Sequence, residues 1–352
     1  MGCGSSTAAA PAAVPEPVAE TKPAPVTTDA APEKPVAAAP AAEPAASSPK
    51  NAAFVFVKPH ANVAAVQELV KTKFAEKGIT ILSEGEIGGA DIDTNKYIDQ
   101  HYYAIASKAT IMKPAELNVP EDKFKEYFGE EWATVKEEDR TFNAIDMQAK
   151  LGVDGEAFEA LWDATADGKR IKFGGGFYCG CIEQEGTKYY TFNAFFMRMR
   201  GKFTAPEGSI HFFSVEFDPA TLSWADFRGK VLGPTDPAKA PADSLRGILF
   251  SDWEKLGLAS APNTGDNGVH ASASPFEGLA ERTNWLKTPI GSDAFGAALL
   301  AAGVSEDFIS KGTVDPQVAQ PGAEKKGSLF DALEDMDYAE CLAKVVEIAA
   351  VN

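Results

Sequence analysis

The sequence changes character at Asn51, and no other feature limits the fold so strongly. Residues 7–50 consist largely of Ala, Pro, Val and Glu in repeated Ala-Pro and Pro-Val steps, without one aromatic side chain. Such a stretch has too little to bury to offset the entropy of ordering it, so a disordered, partly extended tether is expected over 1–50. The 44 residues from 7 to 50 would reach roughly 140 Å at about 3.1 Å per residue.

From Asn51 onward the pattern is that of a folding chain. Ala53–Val57 reads as a buried strand, and Val63, Val66, Leu69, Val70 and Phe74 recur at helical spacing, which predicts a helix over 63–77. A second strand is expected over 79–82 and a helix over 93–103. Pro120–Trp132 and Gly155–Ala164 carry helix patterns, and Phe177–Glu183 and Tyr189–Phe192 flank a Glu185-Gly186 turn as a hairpin. A helix over 195–199, a strand over 210–217 and a helix over 222–231 follow. Phe295–Ala302 and Phe330–Ala350 are apolar and helix-like, with no chemistry visible in them. No internal repeat is present.

Composition narrows the functions. A hydrophobic content of 45% supplies a sizeable core. The formal charge of −18 (33 basic against 51 acidic residues) repels nucleic acid and anionic membranes, so no nucleic-acid partner is expected. Four cysteines, at 3, 179, 181 and 341, make no disulfide framework and suit a reducing compartment. No run of 18 apolar residues is present to span a bilayer, nor an apolar secretory segment after Met1. The start Met1-Gly2-Cys3-Gly4-Ser5-Ser6 instead fits N-myristoylation at Gly2, with Cys3 beside it for palmitate. One acyl chain binds only marginally, at about 10⁴ M⁻¹, and the tether holds no polybasic patch, so Cys3 is the expected second anchor. The expected location is the cytoplasmic face of a membrane, with plasma and ciliary or flagellar membranes as candidates, and otherwise the cytoplasm.

The chemistry gathers around one histidine. Only four occur, at 60, 101, 211 and 270, and His270 sits in Asn267-Gly268-Val269-His270-Ala271-Ser272-Ala273-Ser274, ahead of a helix-like run that carries Glu281 eleven residues later. Imidazole titrates near neutrality and can serve as a nucleophile. A loop histidine on its own is commonly just solvated, so its neighbours in sequence carry the weight. Upstream stand a strand ending in Lys58-Pro59, the pair His101-Tyr102, the segment Leu232-Gly233-Pro234-Thr235-Asp236-Pro237, and Arg246 eleven residues after Thr235.

This ordered set resembles the nucleoside diphosphate kinase family over roughly 54–102 and 190–286. The resemblance implies an α+β fold, a ferredoxin-like antiparallel sheet backed by helices. The expected division is a kinase-like domain over 51–286, interrupted by an insertion at about 103–189, and a helical C-terminal extension over 287–352. It implies ping-pong transfer of the terminal phosphate of a nucleoside triphosphate such as ATP to a nucleoside diphosphate through phosphohistidine, with Mg²⁺ arriving on the nucleotide and no metal site of the protein's own. His270 would be the nucleophile and Glu281 the group that holds the other ring nitrogen, with Ser272 near the same ring. Lys58, Arg246, Thr235 and Tyr102 would meet the phosphates, and Asn267 the sugar hydroxyl. Each has a plainer alternative, Lys58 as surface charge and Thr235 as the opening of a turn. Members of the family form hexamers or tetramers, which leaves a homo-oligomer open.

Two departures stand out. The family carries an arginine four positions before the Gly of its Leu-Gly, where this chain has Gly229 between Arg228 and Lys230. Arg228 is the better substitute, because its fork meets two oxygens. The family's base-stacking Phe falls where the insertion begins, and Phe192 is the nearest candidate. Cys179-Gly180-Cys181 is too sparse for zinc and is expected as small buried core. Gly174-Gly175-Gly176 lacks the Lys-Ser/Thr of a phosphate loop and reads as a tight turn. His60 is given no role, and His211 is expected packed or at the surface. The competing function is a catalytically weak nucleotide-binding scaffold at a membrane or cilium.

Overall fold

The strands are β1 (Asn51–Val57), β2 (Thr80–Gly88), β3 (Thr141–Asn143), β4 (Arg170–Gly174), β5 (Phe177–Gln184), β6 (Thr187–Phe192), β7 (Ser209–Phe217), β8 (Val269–Ala271), β9 (Gln317–Val318) and β10 (Gly327–Ser328). They belong to a computed structural model that describes residues 49–352. Gly2, Cys3 and the Ala/Pro-rich tether up to residue 48 lie outside the described residues. The fold is mixed α and β, with one antiparallel and one mixed four-stranded sheet.

The first sheet runs β2-β7-β1-β8, every neighbouring pair antiparallel. Its inner strand β1 is an unbroken apolar run because both of its faces are covered. Ala53, Val55 and Val57 pack on Val66, Val70 and Phe74 of the helix Ala64–Glu76, with Trp224 and Leu249. Phe54 and Phe56 point to the other face and share a core with Ile92, Ile98, Phe203 and Trp285. Burying a phenylalanine contributes about 1.5–3 kcal/mol, so β1 anchors both layers. His211 lies on β7, packed against Phe213, with Glu84 at 3.5 Å.

The second sheet, β3-β6-β5-β4, lies largely within the segment 103–189. Its β5–β6 hairpin turns at Glu185 and Gly186, both at positive φ, as a two-residue hairpin requires. Cys179 is fully buried in the core of this sheet and Cys181 nearly so. Gly174 ends β4, and Gly175-Gly176 make the β4–β5 turn.

Several boundaries differ from the sequence expectation. The strand expected over 79–82 runs from Thr80 to Gly88, because an edge strand keeps polar Ser83, Glu84 and Glu86 that an apolar count passes over. The helix expected over 120–132 is two, Glu121–Phe128 and Trp132–Glu137, since Gly129 at φ 74° ends the first. Lys96, at φ 56°, likewise splits the 93–103 helix into Gly89–Thr94 and Tyr97–His101. The helix starting at Phe195 continues to Thr204, and its buried Arg200 pairs with Asp99 and Asp93. The helix expected over 330–350 starts only at Tyr338, after a single turn at Asp331–Leu333.

Residues 287–352 are not a loose tail. The helices Ala294–Ala301, Glu306–Gly312 and Tyr338–Ala349 bury Phe295, Leu299, Ile309, Val345 and Ile348 around Phe276 and Leu279 of the helix Pro275–Trp285. No helix of the described residues is long and apolar enough to cross a membrane.

Candidate active site

The site forms where β1 and β8 meet the helix Pro275–Trp285. Gly268 turns the chain into β8 at φ 85°, a left-handed conformation that favours glycine, and a Cβ there would also push Leu249 Cδ1, 2.5 Å away, aside. Its carbonyl accepts the Lys58 N–H at 2.8 Å, which ties the end of β1 to this loop. β8 then pairs His270 with Phe56, and the two rings stack at 4.7 Å.

The helix that follows is capped by Ser274, whose Oγ accepts the Glu277 N–H at 3.1 Å, with Pro275 in its first turn. Gly278 lets it lie directly on β1, since a Cβ there would come within 2.6 Å of the Ala52 carbonyl oxygen. Three residues on, Glu281 is thereby brought to His270. Glu281 Oε1 lies 2.5 Å from His270 Nε2 and 3.4 Å from His101 Nδ1. The Ser272 N–H already donates to the Phe54 carbonyl, and Ser272 Oγ accepts the Phe54 N–H. Its hydroxyl proton therefore goes to Glu281 Oε2, at 2.5 Å.

The protonation states follow from burial. Desolvation, then the charges of Lys58, Arg246 and Arg228, hold His270 well below its ordinary 6.5. His101 is pushed down to about 3 by burial and by His270, and its Nδ1 accepts from Trp285 Nε1 at 3.4 Å. Burial pushes Glu281 up to about 7 against the pull of His101 and the Ser272 hydroxyl. Above that value a carboxylate accepts the Nε2–H, and the lone pair stays on Nδ1. That nitrogen has no hydrogen-bond partner among the described residues.

A cleft of about 670 Å³ opens over His270, and Lys58, Tyr102, Arg228, Thr235, Arg246 and Asn267 all line it. Ser272 and Glu281 stand behind the ring, outside that lining. Lys58 is lowered to about 8 and Arg246 to about 10, each first by burial and next by a neighbouring arginine. Among the described residues neither has an ion-pair partner. Three Arg246 N–H groups are spent on the carbonyls of Val269 and Gly233, which fixes the guanidinium and leaves two N–H groups over. Asn267 Nδ2 donates to the Thr235 carbonyl at 3.2 Å, while its buried Oδ1 has no partner. Burial, with the charges of Glu281 and Glu277, pushes Tyr102 up to about 12, so its hydroxyl remains a donor.

Arg228 reaches the cleft but is not free. Its Nη1 pairs with Glu334 Oε1 at 2.7 Å and Asp335 Oδ1 at 2.6 Å. Lys230, the other neighbour of Gly229, pairs with Asp226 and does not line the cleft. Gly229 does, and nothing lies within 4 Å of where its Cβ would be. Phe192 is a correction: it is fully buried in the second sheet beside Trp132 and Phe177, so it cannot stack on a ligand in this cleft.

Further titratable residues of the cleft were not anticipated from sequence. His60 accepts the Gly268 N–H on Nε2 at 3.1 Å, is lowered to about 4 by burial, and faces Asp266. Lys202 pairs with Asp266 at 2.7 Å. Glu277 is pushed up to about 8 by burial and by Glu281 one turn away, and accepts the Ala273 N–H at 2.6 Å. The donor atoms of His101, His270 and Glu281 lie within 4.8 Å of one another, the one such group among the described residues. His270 Nε2 is already bonded to Glu281 and His101 Nδ1 to Trp285.

No family model matches the chain, and no curated protein matches it in sequence. Among solved structures it is similar to an apo nucleoside diphosphate kinase from Encephalitozoon cuniculi, with TM-score 0.33 and 13% identity over 68% of this chain and 90% of that one. It is also similar to a nucleoside diphosphate kinase from Pyrobaculum aerophilum, with TM-score 0.31 and 16% identity over 67% and 96% of the two chains. Likeness this slight carries neither fold family nor activity.

Proposed function

We propose that the protein is a nucleoside diphosphate kinase that moves the terminal phosphoryl group of a nucleoside triphosphate to a nucleoside diphosphate through His270. One observation carries this: a neutral imidazole, held at Nε2 by buried Glu281, faces a cleft that holds two desolvated cations without carboxylate partners. Burying a cation unpaired is costly, and a polyphosphate is the ligand class that would complete Lys58 and Arg246. The first-sheet order β2-β7-β1-β8 is also the order of a ferredoxin-like sheet, which belongs to the same proposal.

In the proposed reaction the Nδ1 lone pair attacks the γ-phosphorus in line. The bond from phosphorus to the bridging oxygen breaks, its electrons leave with the diphosphate, and Glu281 stabilises the charge left on the ring through the Nε2–H. An oxygen of a second diphosphate then attacks the phosphorus and the P–N bond breaks, restoring the imidazole. Lys58 and Arg246 neutralise the phosphoryl oxygens, Tyr102 and Thr235 supply neutral donors, and the unpaired Oδ1 of Asn267 accepts from a sugar hydroxyl. Mg²⁺ enters as part of the nucleotide substrate.

The location belongs to the proposal as well: acylation at Gly2 and Cys3 holds the kinase at the cytoplasmic face of a membrane. A specific observation favours a second reading, the weak scaffold, because Arg228 is tied by two carboxylates and Gly229 supplies no charge. The test is incubation with γ-labelled MgATP. The expected result is an acid-labile, alkali-stable phosphoprotein that is lost in His270→Ala, with nucleotide binding kept within a few-fold. No phosphoprotein from the wild type, despite nucleotide binding, would select the scaffold.

A further inference from the structure

The C-terminal region reaches into the cleft at one place. Between the turn Asp331–Leu333 and the helix Tyr338–Ala349, the chain lays Glu334 and Asp335 along the cleft wall, both on Nη1 of Arg228. This short segment hangs between fixed points. Leu333 is fully buried on one side. On the other, the Asp337 carboxylate accepts the Trp224 N–H at 2.7 Å and the Asn51 side-chain amide at 2.6 Å. Midway, the Asp335 N–H donates to the carbonyl of Ala273, three residues past His270.

Leu333 is buried and Asp337 partly so, whereas the two acids between them are exposed. The Glu334 and Asp335 side chains are 49% and 47% exposed, and Arg228 is 30% exposed. Ion pairs this open are weak and readily exchanged. A phosphate chain brings more charge and a bidentate match to a guanidinium, so it is the stronger partner for Arg228. Two carboxylates left in place beside bound phosphates would repel them. Anion binding and the strap contact therefore compete.

Resting on the nucleotide reading above, we propose that Glu334 and Asp335 form an autoinhibitory strap: they occupy Arg228 in the unliganded protein and must release it before the phosphates of a nucleotide are fully bound. The strap makes Arg228 a conditional part of the cleft, whereas Lys58 and Arg246 are permanent parts. It also gives the C-terminal region a function at the site as well as in packing.

The test uses the full chain and two probes, MgADP and inorganic tripolyphosphate, with the near-isosteric double variant Glu334→Gln/Asp335→Asn. The variant is expected to bind both probes about tenfold more tightly than the wild type. In the wild type, saturating tripolyphosphate is expected to speed hydrogen exchange over 333–337, because the Asp335–Ala273 bond is given up. Unchanged or weaker binding of both probes by the variant, or slower exchange of the segment on anion binding, overturns the strap. Tighter tripolyphosphate binding by the variant without any MgADP binding upholds the strap and removes the nucleotide reading. Equal MgADP affinities with His270 still phosphorylated do the reverse.

Discussion

Arg140, just ahead of β3, and Lys58, just past β1, are both cations largely withdrawn from solvent, and the protein treats them in opposite ways. Arg140 pairs with Glu130 and Glu138 and donates to the Lys188 carbonyl, and the Glu130 carboxylate beside it raises its pKa further. Lys58 has no such partner, and burial lowers it to about 8. A paired cation contributes to folding. An unpaired one costs folding free energy, and it persists where a ligand recovers that cost. The contrast extends to the regions around them. Tyr190 completes the Arg140 network by donating to Glu130 at 2.6 Å, whereas buried Asn267 Oδ1 has no partner.

The substitutions that break this contrast should act in opposite directions. Lys58→Met should raise the nucleotide dissociation constant about tenfold or more, since a charge-assisted bond contributes roughly 1.5–3 kcal/mol. It should leave thermal stability equal or higher, because a desolvated charge is removed. Arg140→Met should leave nucleotide binding unchanged and lower stability by about 2 kcal/mol, because Glu130 then keeps only the Tyr190 hydroxyl. Titration calorimetry and chemical denaturation of both variants decide this. A Lys58→Met protein that is destabilised but binds normally would erase the distinction.

A smaller effect sharpens it. Below about 7 Glu281 holds a proton and lacks the negative charge that stabilises the ring during transfer, so phosphoenzyme formation at low nucleotide concentration should rise through about pH 7. His270 is already neutral there and adds no limb of its own in this range. Above about 8 free Lys58 loses its proton and its hold on phosphate, so the rate should fall again. Rapid-quench rates across pH 6–9.5 (roughly the span bracketing both groups) should give a narrow bell, and Lys58→Met should flatten only its alkaline side. An alkaline limb that survives this substitution belongs to another group.

Much of the cleft was legible in the order of residue types along the chain. Lys58, Tyr102, Thr235, Arg246, Asn267 and His270 come to one cavity although 212 positions separate the first from the last (270 − 58). Chemistry that depends on packing was not legible. Phe192 alternates along a strand like any core aromatic, and nothing local says which sheet receives it. His60, Lys202 and Asp266 meet in the cleft from a turn after β1, the helix Phe195–Thr204 and the loop before β8, segments far apart in sequence. The acids that hold Arg228 lie more than a hundred residues away, in a segment whose apolar spacing announced only helix. Breaks at Lys96 and Gly129 were missed for the related reason that a single left-handed residue leaves the apolar spacing intact.

The account depends most on which nitrogen of His270 is free. Phosphorus NMR of the phosphoenzyme under alkaline denaturing conditions, read against the two phosphohistidine isomers, tests this directly. Glu281 on Nε2 predicts a single Nδ1-phosphohistidine at position 270. Phosphate on Nε2, or on His101 instead of His270, would contradict it.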